Sequence, residues 1–135
     1  MSDVKLIRYT LANNANLIAV VPAVRIFAGV VPLATVLPAI AVNHISTVRR
    51  NTVAMNTLTV LATSRVQVTV LAKTYDNQKS ILVLVRKALP NANGVINGIT
   101  VDSILPDISG PDLRDDDAGI YMQSMDFMCS INETT

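Results

Sequence analysis

The chain has 135 residues, the usual size of one domain; half are hydrophobic, 16% are charged, and the net charge is +1. That balance excludes a strongly basic nucleic-acid binder and a polybasic membrane anchor, and the single cysteine, Cys129, excludes an internal disulfide. A free-standing monomer usually carries about a quarter charged residues, so the shortfall points to surface buried against other copies or partners.

The start, Met1-Ser2-Asp3-Val4-Lys5, lacks the basic segment and apolar run of a signal peptide. The apolar stretch from Leu17 to Val42 is broken by Pro22, Pro32 and Pro38 and carries Arg25. No run within it reaches the roughly 20 residues that span a bilayer. The sequence reads as one soluble, cytosolic domain over residues 1–135.

The first helix is predicted from Asp3, as N-cap, to about Ala15, with Val4, Ile7, Leu11 and Ala15 on its apolar face. Asn13, Asn14 and Asn16 mark its end. A short extended piece follows at Val24–Phe27, then a loop from Val30 to Leu37. Pro38 opens a strand over Ala39–Ser46, with Ile40, Val42 and His44 on one face. Thr47–Asn56 reads as a hairpin loop or arm. Leu58–Thr74 is the clearest strand, because valine and alanine alternate with mostly polar residues from Arg65 to Lys73.

A second helix is predicted over Asp76–Leu89, capped by Asp76 or Thr74 and stopped by Pro90. Ile81, Leu84, Val85, Ala88 and Leu89 form its stripe, widened by Leu82 and Val83. Asn91–Gly94 is a turn, and Val95–Leu105 a strand with a tight turn or bulge at Asn97-Gly98. Pro106–Gly119 reads as a long polar loop. The last strand is Ile120–Ile131, with Tyr121, Met125, Phe127, Cys129 and Ile131 on one face and Gln123 as the exception; Asn132–Thr135 is a frayed tail. The expected class is α+β: a two-layer sandwich, its mostly antiparallel mixed β-sheet carrying two α-helices on one face.

Catalytic chemistry finds little footing. One histidine and one cysteine do not build a zinc or iron site alone. His44 reads as a packed or surface histidine. Cys129 belongs to the apolar alternation of its strand and reads as a small buried hydrophobe rather than a nucleophile. The run Asp115-Asp116-Asp117 lacks the alternate spacing of a calcium loop and reads as a solvated loop tip or a contact for a basic partner. Gly94-Val95-Ile96-Asn97-Gly98 lacks the third glycine and the lysine of a phosphate loop. Arg49-Arg50 is a weak footprint for nucleic acid and reads better as a partner contact or as plain solvation.

The order of these elements carries a resemblance. The strand Arg65-Val66-Gln67-Val68-Thr69-Val70-Leu71-Ala72-Lys73 leads into the amphipathic helix Asp76–Leu89. A Gly-containing turn, an exposed strand, a polar loop and the closing Met125-Asp126-Phe127-Met128-Cys129-Ser130-Ile131 follow. Nearly the whole chain resembles the small tail-completion or tail-terminator proteins of long-tailed bacteriophages. The resemblance implies a structural, non-enzymatic protein of the virion neck, assembled in the host bacterial cytoplasm. It implies a homo-oligomeric, hexameric ring that caps the tail tube and joins it to the head connector, with DNA passing through without sequence-specific binding. It carries no cofactor and no catalytic residues. The densest charges are the expected subunit or partner contacts: Arg49, Arg50, Asp107, Asp112, Arg114, Asp115, Asp116 and Asp117. Arg49 and Arg50 are candidates to pair with the Asp115–Asp117 run across subunits. The alternatives are another neck or tube protein, such as a head-closure protein, or a small intracellular binding or enzyme module.

Overall fold

The structure, a computed structural model, describes residues 2–32, 35–49, 59–89, 94–96, 98–116 and 119–134. The chain begins with helix α1 (Ser2–Ala12), a one-turn helix α2 (Ala15–Ile18) and a 3-10 turn (Ala23–Arg25). Strands β1 (Ile26–Ala28), β2 (Ala39–Arg49) and β3 (Thr59–Ala72) lead to helix α3 (Tyr75–Ala88). Strands β4 (Gly94–Ile96), β5 (Ile99–Ser109), β6 (Leu113–Asp115) and β7 (Ile120–Thr134) complete it. The class is α+β, built on a curled mixed sheet ordered β1-β2-β3-β7-β5-β4, with β6 also paired to β7. Among the described residues only β1 and β2 run parallel; the other pairs are antiparallel.

The strongest periodicity in the sequence becomes the centre of the sheet. Along β3, Ala62, Val66, Val68, Val70 and Ala72 are wholly buried while their neighbours are half-exposed. Across β7, Met125, Phe127, Cys129 and Ile131 meet them on the same face. Helices α1 and α3 pack on that face through Leu6, Ile7 and Leu11 and through Ile81, Leu82, Val85 and Ala88. Thr74 caps α3, its side chain accepting from the Asn77 amide at 3.2 Å, which satisfies an otherwise orphan donor of the first turn.

Several expectations are corrected. The first helix stops at Ala12, because the Asn13 side chain donates to the Tyr9 carbonyl and Asn14 caps a new turn by accepting from the Leu17 amide. Ala15 is therefore exposed and Leu6 takes the buried place. Asp3 lies inside the helix instead of capping it. The piece at Val24–Phe27 is a 3-10 turn followed by β1. Strand β2 continues through Thr47 to Arg49, residues expected in a loop or arm; residues 50–58, the rest of that segment and the expected start of the next strand, lie outside the described residues. Val83 points out, 44% exposed. The strand at Val95–Leu105 is a hairpin of β4 and β5 turning at Gly98, whose φ of 77° suits glycine; Asn97 is outside the described residues, as are Leu33, Ala34, Pro90 and residues 91–93.

The largest correction is the long polar loop. Strand β5 runs through Pro106 to Ser109, and β6 follows almost at once. Register shifts near Pro106 absorb the missing donor, and among the described residues only short β4 lies outside the strand, so its edge position tolerates the proline. Gly110 donates to the Ser124 carbonyl at 2.7 Å and holds the end of β5 to β7. The predicted tail is strand as far as Thr134.

Candidate assembly surface

The sheet face away from the helices is polar and half-open. Thr63 meets Ser130 at 3.2 Å and Thr69 meets Ser124 at 2.8 Å across the β3–β7 ladder. Between these pairs lies Arg65, which binds Asp126 at 3.0 Å and Asp107 at 2.6 Å. Hydrogen bonds to Asp126 and then Asp107 raise the Arg65 pKa above its ordinary value. Asp107, an expected contact residue, is thus engaged within its own chain.

A second charged group surrounds the start of α3. Asp112 accepts from the Tyr75 hydroxyl at 2.9 Å and from Lys79 Nζ at 2.6 Å. Lys79 also donates to Gln123 Oε1 at 2.5 Å, and Gln123 donates to the Gly110 carbonyl at 2.9 Å. Gln123, the exception in the β7 alternation, is therefore buried with both ends of its amide bonded. The Lys79 hydrogen bond, then that of Tyr75, holds the Asp112 carboxyl below its usual range; Asp112 in turn raises Lys79. Arg114 lies 5.0 Å from the Tyr121 ring and binds Asp116 at 2.9 Å, with both charged side chains well exposed. Asp115 belongs to β6, opposite Ile120. Beside this group, Lys79, Leu82, Val83, Arg86, Ser109, Gln123 and Met125 line a shallow cleft between α3 and the sheet.

The expected contact residues do not converge on one spot. Arg49 pairs with Ala62 at one end of β3, whereas Arg114 pairs with Tyr121, which pairs with Ala72 at the other end. At a rise of about 3.3 Å per residue, Ala62 and Ala72 stand ~33 Å apart. Asp107 sits between, on the polar face. Arg50 and Asp117 lie outside the described residues. The partners Arg65, Lys79 and Asp126 were missed because each is an ordinary polar-face residue until β3, α3 and β7 are brought together.

The chemically reactive side chains serve packing. Asp3 is buried, accepts from the Val4 amide at 2.8 Å and binds His44 Nδ1. His44 Nε2 lies 3.4 Å from the Thr47 hydroxyl, itself 3.0 Å from that of Ser64. An acid, an imidazole and two hydroxyls in line resemble a proton relay. Ser64 is 3% exposed, however, and the line fastens the first turn of α1 to β2 and β3. Cys129 is fully buried, and burial pushes its thiol up to about 12, so it holds almost no thiolate at neutral pH. Among the described residues, no group of three or more His, Cys, Asp or Glu side chains is placed to hold a metal ion. No described helix is long and apolar enough to cross a membrane.

Comparison with known proteins agrees with this picture of a structural unit. No curated protein sequence matches the chain. Among solved structures, a chain of the "Virion of native gene transfer agent (GTA) particle" is similar in fold, with a TM-score of 0.69 at 15% identity, over 96% of this chain and 93% of that one. The sequence model described as "Tail completion protein gp17" matches residues 5–131. The chain belongs to the tail completion protein gp17 family, and it is a structural protein of the bacteriophage tail.

Proposed function

We propose that the chain is one tail-terminator-like domain that forms a ring at the head-proximal end of the tail. There it caps the growing tube and joins it to the head connector, leaving a channel for DNA. In this reading the helices and the sheet form two layers, and assembly is in the host cytoplasm. The family match over residues 5–131 carries the proposal. The separation of the charged groups suits it: the Arg49 end and the Asp112–Asp116 end lie apart on the sheet, so one subunit can meet different neighbours through each. Arg49, Arg50, Asp107, Asp112, Arg114, Asp115, Asp116 and Asp117 would then act as contacts with other subunits or partners.

The test is the mass of the purified protein in solution, with negative-stain images. Discrete rings, and arrest of tube growth when they are added to polymerising tube protein, are expected. Open tubes formed by this chain alone would favour a tube protein, and rings that leave tube growth unchanged would favour a head-closure protein.

A further inference from the structure

We infer that copies of this chain meet head to tail, the basic flank of α1 and β1 in one copy against the acidic flank of β5 and β6 in the next. This rests on the ring reading above and names the two surfaces that close it.

The sequence divides its charges by position. Across residues 4–75 all seven charged side chains are basic, a net +7; across residues 76–135 nine are acidic and four basic, a net −5. Asp3 completes the overall +1. An asymmetry between halves makes two surfaces of opposite sign only if the fold keeps the halves apart. The strand order β1-β2-β3-β7-β5-β4, with β6 also on β7, does so: the strands of the first half lie on one side of the sheet and those of the second on the other. Helix α1 packs over β1 and β2 and adds the exposed Lys5 and Arg8 to Arg25, which directly precedes β1. On the opposite flank Asp102, Asp107, Asp112, Asp115 and Asp116 are all exposed. Asp107, Asp112 and Asp116 are met by Arg65, Lys79 and Arg114, yet the acidic excess stands with all four bases of that half counted.

The two flanks lie level. Ile26, Ile40, Val70 and Gln123 form one row of the sheet. Arg8 is fastened to one end of that row, its Nε donating to the Ile26 carbonyl at 2.9 Å. Asp112 is fastened to the other end through Lys79, which donates to both Asp112 and Gln123. A neighbour brought alongside without a shift along the strands therefore sets its Asp112 toward Arg8. A carboxylate can accept more bonds than the two from Tyr75 and Lys79.

Both flanks also hold apolar side chains in water. Val24, Val30 and Val36, around β1, are 80%, 85% and 66% exposed, and Arg25 ties this region together by donating to the Val36 carbonyl at 3.2 Å. Ile108 and Leu113, on β5 and β6, are 57% and 53% exposed. Apolar centres rimmed by charge are the anatomy of protein–protein contacts, and rims of opposite sign select the partner. The occupant is a second copy because this chain carries both signs. Flanks on opposite sides of one sheet do not meet within a subunit, and a two-fold contact through either flank would set like charges together. Head-to-tail contact opposes the signs at every joint and closes into a ring when the rotation fits.

Charge reversal on the full-length chain tests this through the mass of the assembly, with unfolding midpoints checking that each variant folds. Lys5→Glu with Arg8→Glu turns the basic flank acidic, and Asp112→Lys with Asp116→Lys turns the acidic flank basic. Each pair alone is expected to weaken assembly by about tenfold or more. Mixing the two variants one to one should restore it, with the two alternating around the ring, and so should all four substitutions in one chain. Variants that assemble normally alone, or that recover neither on mixing nor in combination, would overturn the flank contact and leave the ring reading intact. Normal rings that lose only their hold on duplex DNA when Lys5 and Arg8 are reversed would overturn it too, by setting that flank against nucleic acid. A parent that stays monomeric at all concentrations would overturn both. Salt reads the same contact without substitutions: near 1 M, where charges act over only about 3 Å, the parent assembly should weaken, and a mass indifferent to salt would sink the flank contact.

Discussion

One face of the β3–β7 ladder is covered by helices and holds Val66, Val68, Val70 and Phe127, all excluded from solvent. The other face carries Thr63, Arg65, Thr69, Ser124, Asp126 and Ser130, half-open and tied by hydroxyl contacts and ion pairs. The backbone is common to both, so the difference lies in the side chains. The covered face supplies stability by removing apolar area from water. The open face contributes less to stability, since its groups exchange one set of hydrogen bonds for another. A single sheet can therefore hold its fold with one face and leave the other face and its edges for assembly.

The sharpest way to break this comparison is Phe127→Ala. It should cost about 3–5 kcal/mol by denaturant unfolding, the usual range for an aromatic residue lost from a core. A loss as small as that of an open-face change would erase the distinction between the faces.

Cys129 tests the same face through pH. Its thiol has a raised pKa in the fold, so the folded state holds a proton that the unfolded state releases above its ordinary value near 9. Its contribution is complete below that value and declines as pH rises toward about 12, by at most about 1.4 kcal/mol per pH unit. Comparing unfolding of the parent and Cys129→Ala across the alkaline range isolates the effect. The parent should also resist thiol alkylation at neutral pH; rapid labelling would mean that the covered face is open.

Gln78 sharpens the picture from the helix side. It is 1% exposed on α3, and among the described residues neither side-chain polar atom has a hydrogen-bond partner. Gln78→Met keeps the length and removes two unsatisfied groups, so stability should rise by about 1 kcal/mol. A fall would show that a partner meets this amide.

The smallest effect is expected on the open face. Thr69→Ala loses the 2.8 Å contact with Ser124, which remains half-exposed to water, and should cost about 0.5–1 kcal/mol. Any larger change in the mass of the assembly than in stability would place Thr69 at a contact between subunits.

Much of the fold was legible because it depends on local pattern. Alternation located β3 and β7 and assigned their faces residue by residue, and the helical stripe located α3 to within a residue at each end. The errors fell where polar residues carry two readings. Asn13 and Asn14 end one helix but begin another turn, and Pro106 with its acidic neighbours reads as loop although β7 draws it into a ladder. The expected contact residues were legible only as dense charge. That Asp107 binds Arg65, and that Asp112 binds Lys79, depends on elements far apart in the chain.

The sequence by itself determined which residues turn inward, because burial follows a period of two or 3.6 residues that any reader can count. It also determined that Cys129 belongs with the core and that charge is scarce. Only the tertiary structure decided which charges meet and how far the Arg49 end stands from the Asp112 end. Those are properties of strand order and register, and register is set by how whole faces pack together rather than by any one strand's composition.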